Sequence, residues 1–91
     1  MARFVNIGFG NIVNADKIVA IVSPDAAPVK RMVQSAKESG KSIDATQGRR
    51  TKAVLVTEDA YIVLSALQPD TISRRLQSDK NMMEEKGDLD E

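Results

Sequence analysis

The run Lys17-Ile18-Val19-Ala20-Ile21-Val22 constrains this chain more than any other stretch. Its density of β-branched side chains favours a pleated strand over a helix, and Ser23-Pro24-Asp25 stops it at once. An apolar run without alternation predicts a strand buried on both faces. From Asp25 the period changes. Val29, Met32, Val33 and Ala36 fall at i, i+3, i+4 and i+7, which is one stripe of a helix. Ser23 or Asp25 is placed to cap that helix, Pro28 fits its first turn, and Gly40 fits its stop. Lys30, Arg31, Gln34, Lys37 and Glu38 point away from the stripe.

The flanking segments carry strand patterns. Arg3 to Ile7 alternates polar and apolar before Gly8-Phe9-Gly10-Asn11 breaks it, leaving room for a shaped hairpin loop or a short third strand at Ile12 to Val13. Ser42 to Ala45 reads as a short strand and Thr46-Gln47-Gly48 as a turn. Ala53 to Thr57 and Ala60 to Leu67 read as a hairpin closed by Glu58-Asp59, with Tyr61 to Leu64 covered on both sides. Pro69 and Asp70 then open a second helix, with Ile72 and Leu76 on one face and Arg74 and Arg75 beside them. The predicted order is β-β-α-β-β-β-α. This is a small α+β domain over residues 1–78, with no internal repeat and no dividing linker.

Such a chain has little to build a core from. It has 91 residues, 3% aromatics and no Cys, so neither aromatic anchors nor disulfides reinforce it, and self-association is the expected remedy. No basic-then-apolar leader is visible and no apolar run approaches the ~18 residues of a membrane span, so no membrane partner and a cytoplasmic location are expected. The formal net charge of zero conceals two halves. Residues 1–78 hold 11 Lys and Arg against 7 Asp and Glu, net +4, whereas residues 79–91 hold 2 against 6, net −4. That acidic segment lacks apolar periodicity and reads as a mobile tail, a solubilising extension or a competitor for the basic body.

Catalysis is poorly provided for. Without His or Cys the chain lacks the commonest general base, soft metal ligands and a thiolate nucleophile. Ser35 and Lys37, two apart on a helix, do not face each other, and no carboxylate pair stands out. No enzyme activity, cofactor or metal is expected. Gly8-Phe9-Gly10 lacks the third glycine and following helix of a phosphate loop, so the structural reading is a tight turn with Phe9 free to plug a neighbouring subunit. Gly8, Phe9 and Gly10 are therefore candidate oligomerisation residues.

The cations of Asp44-Ala45-Thr46-Gln47-Gly48-Arg49-Arg50-Thr51-Lys52 are the remaining feature. In a regular strand Arg49 and Arg50 would point to opposite faces and one would be driven into the core. A turn after Gly48 exposes both, with Lys52 able to join Arg50. They then either follow an anionic backbone, where guanidinium meets phosphate bidentately, or pair with Asp44 or Glu58. Sequence leaves these two readings open. No aromatic interleaves the cluster, which points away from single strands and toward duplex phosphates.

Three blocks in register, NIGFGN, IVSPDAAPVKR and IDATQGRRTKAV, resemble the RemA family of small bacterial regulators of extracellular-matrix genes, over about residues 3–76. The resemblance implies a double-stranded DNA-binding transcriptional activator of biofilm-matrix genes, also linked to osmoprotectant genes and acting at the nucleoid. It further implies rings of about seven or eight subunits that bend DNA along a rim through a LytTR-like arrangement. Carried over residue by residue, its DNA-binding positions are Arg49, Arg50 and Lys17, the last a departure from the Arg found in members of the family. Lys52 joins them from the same cluster and Arg31 from the first helix. Contact with RNA polymerase is left open. An RNA-binding ring and a protein-only scaffold are the rival readings.

Overall fold

The computed structural model describes residues 3–85, with side chains through Gln77. Strands β1 (Phe4–Asn6) and β2 (Ile12–Asn14) form an antiparallel hairpin, and a 3-10 turn (Ala15–Lys17) leads into β3 (Ile18–Val22). Helix α1 (Ala27–Glu38), strands β4 (Ser42–Asp44), β5 (Ala53–Thr57) and β6 (Ile62–Ser65), and helix α2 (Pro69–Glu85) complete the order. The second sheet runs β3-β5-β6-β4, antiparallel except for β4 against β6. The class is α+β as expected, but β2 is a strand in its own right, so the order is β-β-β-α-β-β-β-α. Three residues hold too little pattern to separate a strand from a shaped loop.

The four-stranded sheet is covered on both faces, and strand alternation divides its residues between two cores. Val54, Ile62 and Leu64 face α1, where Ala36 is buried and Val29, Met32 and Val33 pack against them, so the predicted stripe is the docking face. Ala53, Leu55 and Val63 face the other way, toward Val5, Ile7 and Ile72 from β1, its following loop and α2. Ile62, Val63 and Leu64 are all buried, as the unbroken apolar run predicted, but Tyr61, expected to be covered with them, precedes β6 and is 40% exposed. Ser65 is also fully buried, and its hydroxyl donates to the Ile7 carbonyl (2.8 Å) while accepting from the Leu67 amide (3.1 Å). That satisfied hydroxyl ties the two sheets together.

The IVAIV strand departs from expectation. β3 is an edge strand, and its register slips between Ile18, opposite Thr57, and Ala20, opposite Val56. The extra residue is Val19, turned outward to 66% exposure by this β-bulge. Ile18 and Ile21 still pack on one core and Val22 on the other. Apolar density measures how much a strand buries in total, and a bulge lets one residue leave the pattern without changing that density.

Helix α1 starts without a side-chain cap. Ala26 occupies the cap position, and the Ser23 hydroxyl instead accepts the Asp25 amide (3.4 Å) in the preceding turn. Its end follows the sequence: Lys41 N donates to Ala36 O (2.8 Å) and Gly40 N to Lys37 O (3.4 Å), with Gly40 at φ 76. The β5–β6 connection spans residues 58–61, two residues longer than the expected Glu58-Asp59 turn. Ala60 takes φ 69 there and its amide donates to Thr57 O (3.1 Å). Residues 79–85 continue the backbone of α2, and the rest of the acidic segment, 86–91, lies outside the described residues. Among the described residues no helix is long and apolar enough to cross a membrane.

Candidate nucleic-acid interface

The register sets the ends of the sheet. Val22 lies opposite Val54, Ala53 opposite Ser65 and Asp44 beside Leu64, so the C-terminal ends of β3, β4 and β6 share one end with the start of β5. Both helices begin from that end, each directing the positive pole of its backbone dipole there. The segment 45–52 crosses the same end on its way from β4 to β5.

Local chemistry shapes this segment. The Asp44 carboxylate accepts both the Thr46 amide (2.9 Å) and the Thr46 hydroxyl (2.6 Å), and Thr46 is buried. Arg49 N then donates to Thr46 O (3.0 Å) across Gln47 at φ 55 and Gly48 at φ 78. Positive φ at both central residues marks a type I′ turn. Arg49 and Arg50 follow it outside any strand and exposed, as the side-chain period required. Lys52 is also exposed, and its amide donates to Ser65 O (2.8 Å), bringing the chain back to the sheet.

The two hydrogen bonds from Thr46, together with the charge of Lys37, hold the Asp44 carboxyl below its ordinary value of 3.8. The unfolded chain therefore takes up this proton first on acidification. The stabilisation is complete above about 3.8 and is lost as pH falls through the lower folded value. Asp44→Ala should lower stability by about 1 kcal/mol at neutral pH, and the gap from the parent chain should close in acid. Thermal midpoints of both chains measured down to about pH 2 check this. A gap that persists in acid would mean the carboxylate is not what holds the turn.

The cations divide into separate groups. Arg50 and Lys52 line one hollow with Ser23, Pro24, Gln68 and Pro69, where the two helices begin. Asp25 lines it too, but among the described residues it forms no ion pair. The helix cations that share a hollow with Thr51 are Lys30 and Lys37; Arg31 is exposed on α1 and lines neither hollow. Lys17 ends the 3-10 turn and its carbonyl accepts from the Glu58 amide (2.9 Å), while its ammonium pairs with the Glu58 carboxylate at 3.5 Å. Because Glu58 follows the far end of β5, Lys17 stands the length of that strand, roughly 17 Å, from Lys52. One subunit does not bring Lys17 together with Arg49 and Arg50.

The two carboxylates that could have neutralised the arginines are engaged elsewhere, Asp44 by Thr46 and Glu58 by Lys17. Among the described residues the only ion pairs are Arg3 with Asp16 and Lys17 with Glu58. Arg49, Arg50 and Lys52 are left exposed without a carboxylate partner in that set.

One reading from sequence is corrected in space. An aromatic does accompany the basic cluster: Phe9, some forty positions away, places its ring 5.5 Å from the Arg49 guanidinium carbon. Asn11 makes the approach, its side-chain amide donating to Gly8 O (3.0 Å) and Ala45 O (3.4 Å). The turn at Phe9 and Gly10 has φ 55 and 78, the same values as the one at Gln47 and Gly48, and Asn11 N donates to Gly8 O (3.0 Å) across it. Two like turns thus lie side by side. The paired glycine motifs were the available signal, since each permits close approach of another chain segment.

Comparison with known proteins bears on this arrangement. The family profile described as extracellular matrix regulatory protein A-like matches residues 4–76, spanning both turns and the first part of α2. A protein of Thermoanaerobacter sp. (strain X514) is 53% identical over 89 residues, covering 98% of this chain and 93% of its own. One from Alkaliphilus metalliredigens is 60% identical over 76 residues, 84% and 82% of the two chains, and one from Geobacillus thermodenitrificans is 51% identical over 85, 93% and 98%. The names of all three call them regulatory proteins.

Proposed function

The chain belongs to the RemA-like family of regulatory proteins, and from that premise we propose that it is a double-stranded DNA-binding activator of extracellular-matrix genes, with osmoprotectant genes as a second class of target. It works as a closed ring of about seven or eight copies that bends the duplex along a LytTR-like rim. The observation that carries this reading is the exposed set Arg49, Arg50 and Lys52, unneutralised among the described residues at the end of the sheet where both helices begin. Guanidinium groups in that state suit phosphate oxygens bidentately.

The modest charge of one subunit is answered by repetition. Cations on neighbouring copies engage one duplex together, so contacts that are weak singly become tight in sum. Assembly also answers the split between Lys17 and the arginines, since adjacent copies can set opposite ends of the sheet next to one another. Specificity then comes mainly from the shape of the bent duplex and the spacing of its sites. The protein acts in the cytoplasm at the nucleoid, where RNA polymerase is within its reach.

A second reading has one observation in its favour. Phe9 beside Arg49 provides an exposed ring next to a cation, the pairing that single-stranded RNA binders use for base stacking. Duplex DNA and single-stranded RNA should be competed directly for the native chain at two salt concentrations, with solution mass measured alongside. Preferential, salt-sensitive duplex binding by a multimer is expected. RNA prevailing, or a salt-insensitive monomer, would overturn the reading.

A further inference from the structure

Phe9 is placed at some cost. It sits at φ 55 between Gly8 at φ 110 and Gly10 at φ 78, and 50% of its surface is exposed. A left-handed backbone is unfavourable for a bulky L-residue, and water is unfavourable for its ring. A reversal of the chain needs neither, since Asn, Asp or Gly serves that position better. Strain held at an exposed aromatic points to work done by the ring.

The ring's polar neighbour is the Arg49 guanidinium, 5.5 Å from its centroid. This contact spans two turns that Asn11 fastens together by donating to both Gly8 O and Ala45 O. A free arginine side chain samples many rotamers and loses that freedom on binding a phosphate. A guanidinium over an aromatic ring is restrained through its π face, while the N–H donors lie in its plane and stay available. Restraint by the ring and recognition of phosphate therefore use different parts of the same group.

We propose that Phe9 is a positioning residue for Arg49, a shelf that holds the guanidinium in advance of its phosphate. The inference rests on the DNA-binding reading of Arg49, and it assigns Phe9 a role within one subunit instead of a plug between subunits.

The test uses the full chain, a duplex DNA probe at several salt concentrations, and the variants Phe9→Leu, Phe9→Tyr, Arg49→Ala and the Phe9→Leu/Arg49→Ala double. Phe9→Leu should weaken duplex binding about 3- to 10-fold and Phe9→Tyr should restore it. The double variant should bind no more weakly than Arg49→Ala alone, with every solution mass equal to that of the native chain. Independent losses that multiply, native-level binding by Phe9→Leu, or a changed mass for Phe9→Leu would each overturn the proposal. A readout that needs no DNA separates it from the reading beneath it. The Arg49 side-chain protons should show an upfield ring-current shift in NMR spectra, lost in Phe9→Leu and kept in Phe9→Tyr. If the shift is present but duplex binding is absent, the DNA reading fails while the shelf geometry stands. If the shift is absent from the native chain, the shelf itself is refuted.

Discussion

With Arg49 and Arg50 both changed to Ala, duplex DNA affinity should fall by about two to three orders of magnitude near physiological salt. Each cation that neutralises a phosphate contributes about 0.9 to the slope of log affinity against log salt, so the dependence on salt should flatten together with the affinity. The loss should be similar across DNA sequences, because phosphate contacts position a protein without reading bases. Arg49→Lys/Arg50→Lys should keep most of the slope yet recover only part of the affinity, since ammonium lacks the planar fork. Both side chains are exposed and free of ion pairs among the described residues, so melting temperature and solution mass should match the native chain. Unchanged affinity and slope in the double variant would remove these arginines from the interface.

The largest effect on stability should come from Leu55→Ala. Leu55 has no exposed surface, lies at the middle of β5 between Ile21 and Val63, and packs on the core built from Val5, Ile7 and Ile72. Truncating such a leucine removes its transfer free energy and leaves a cavity, together costing about 3–5 kcal/mol. A domain of this size has a total stability of about 5–13 kcal/mol, so a large share disappears in one substitution. No aromatic residue is buried in either core to make up the difference. Val19→Ala, on an outward-facing side chain of the neighbouring strand, should change stability by less than about 0.5 kcal/mol. Urea unfolding of both variants at one protein concentration decides the matter, and equal midpoints would refute this account of the core.

Periodicity was legible wherever an element was long enough to repeat it. The α1 stripe, the buried β6 run and the Ile72 and Leu76 face of α2 all lie where their spacing placed them. β2 is not separable from a shaped loop by pattern, because three residues hold a single alternation. The bulge at Val19 was not legible, since a register slip is set by the partner strand and leaves no mark on the composition of β3. Ser23 does not cap α1, because its hydroxyl satisfies its own turn first.

The same division runs through the candidate site. That Arg49 and Arg50 belong to an exposed turn followed from strand alternation alone. That Asp44 and Glu58 are occupied by Thr46 and Lys17 required the fold, because each acid had more than one partner within reach by sequence. The meeting of Phe9 with Arg49 joins residues forty positions apart, and no local pattern encodes which loops share an end of a sheet.

Ile18–Val22 is also the segment of this chain best suited to seed a cross-β fibril: five apolar, mostly β-branched residues without charge or proline, at the open edge of a sheet. A continuous edge of that kind would template one molecule after another without end. The displaced Val19 breaks the ladder after one residue, and Lys17 sets a charge just ahead of it. Any copy docking here therefore meets a kinked and guarded edge instead of a straight one. In a protein proposed to associate with itself, that irregularity separates assembly that closes from association that does not.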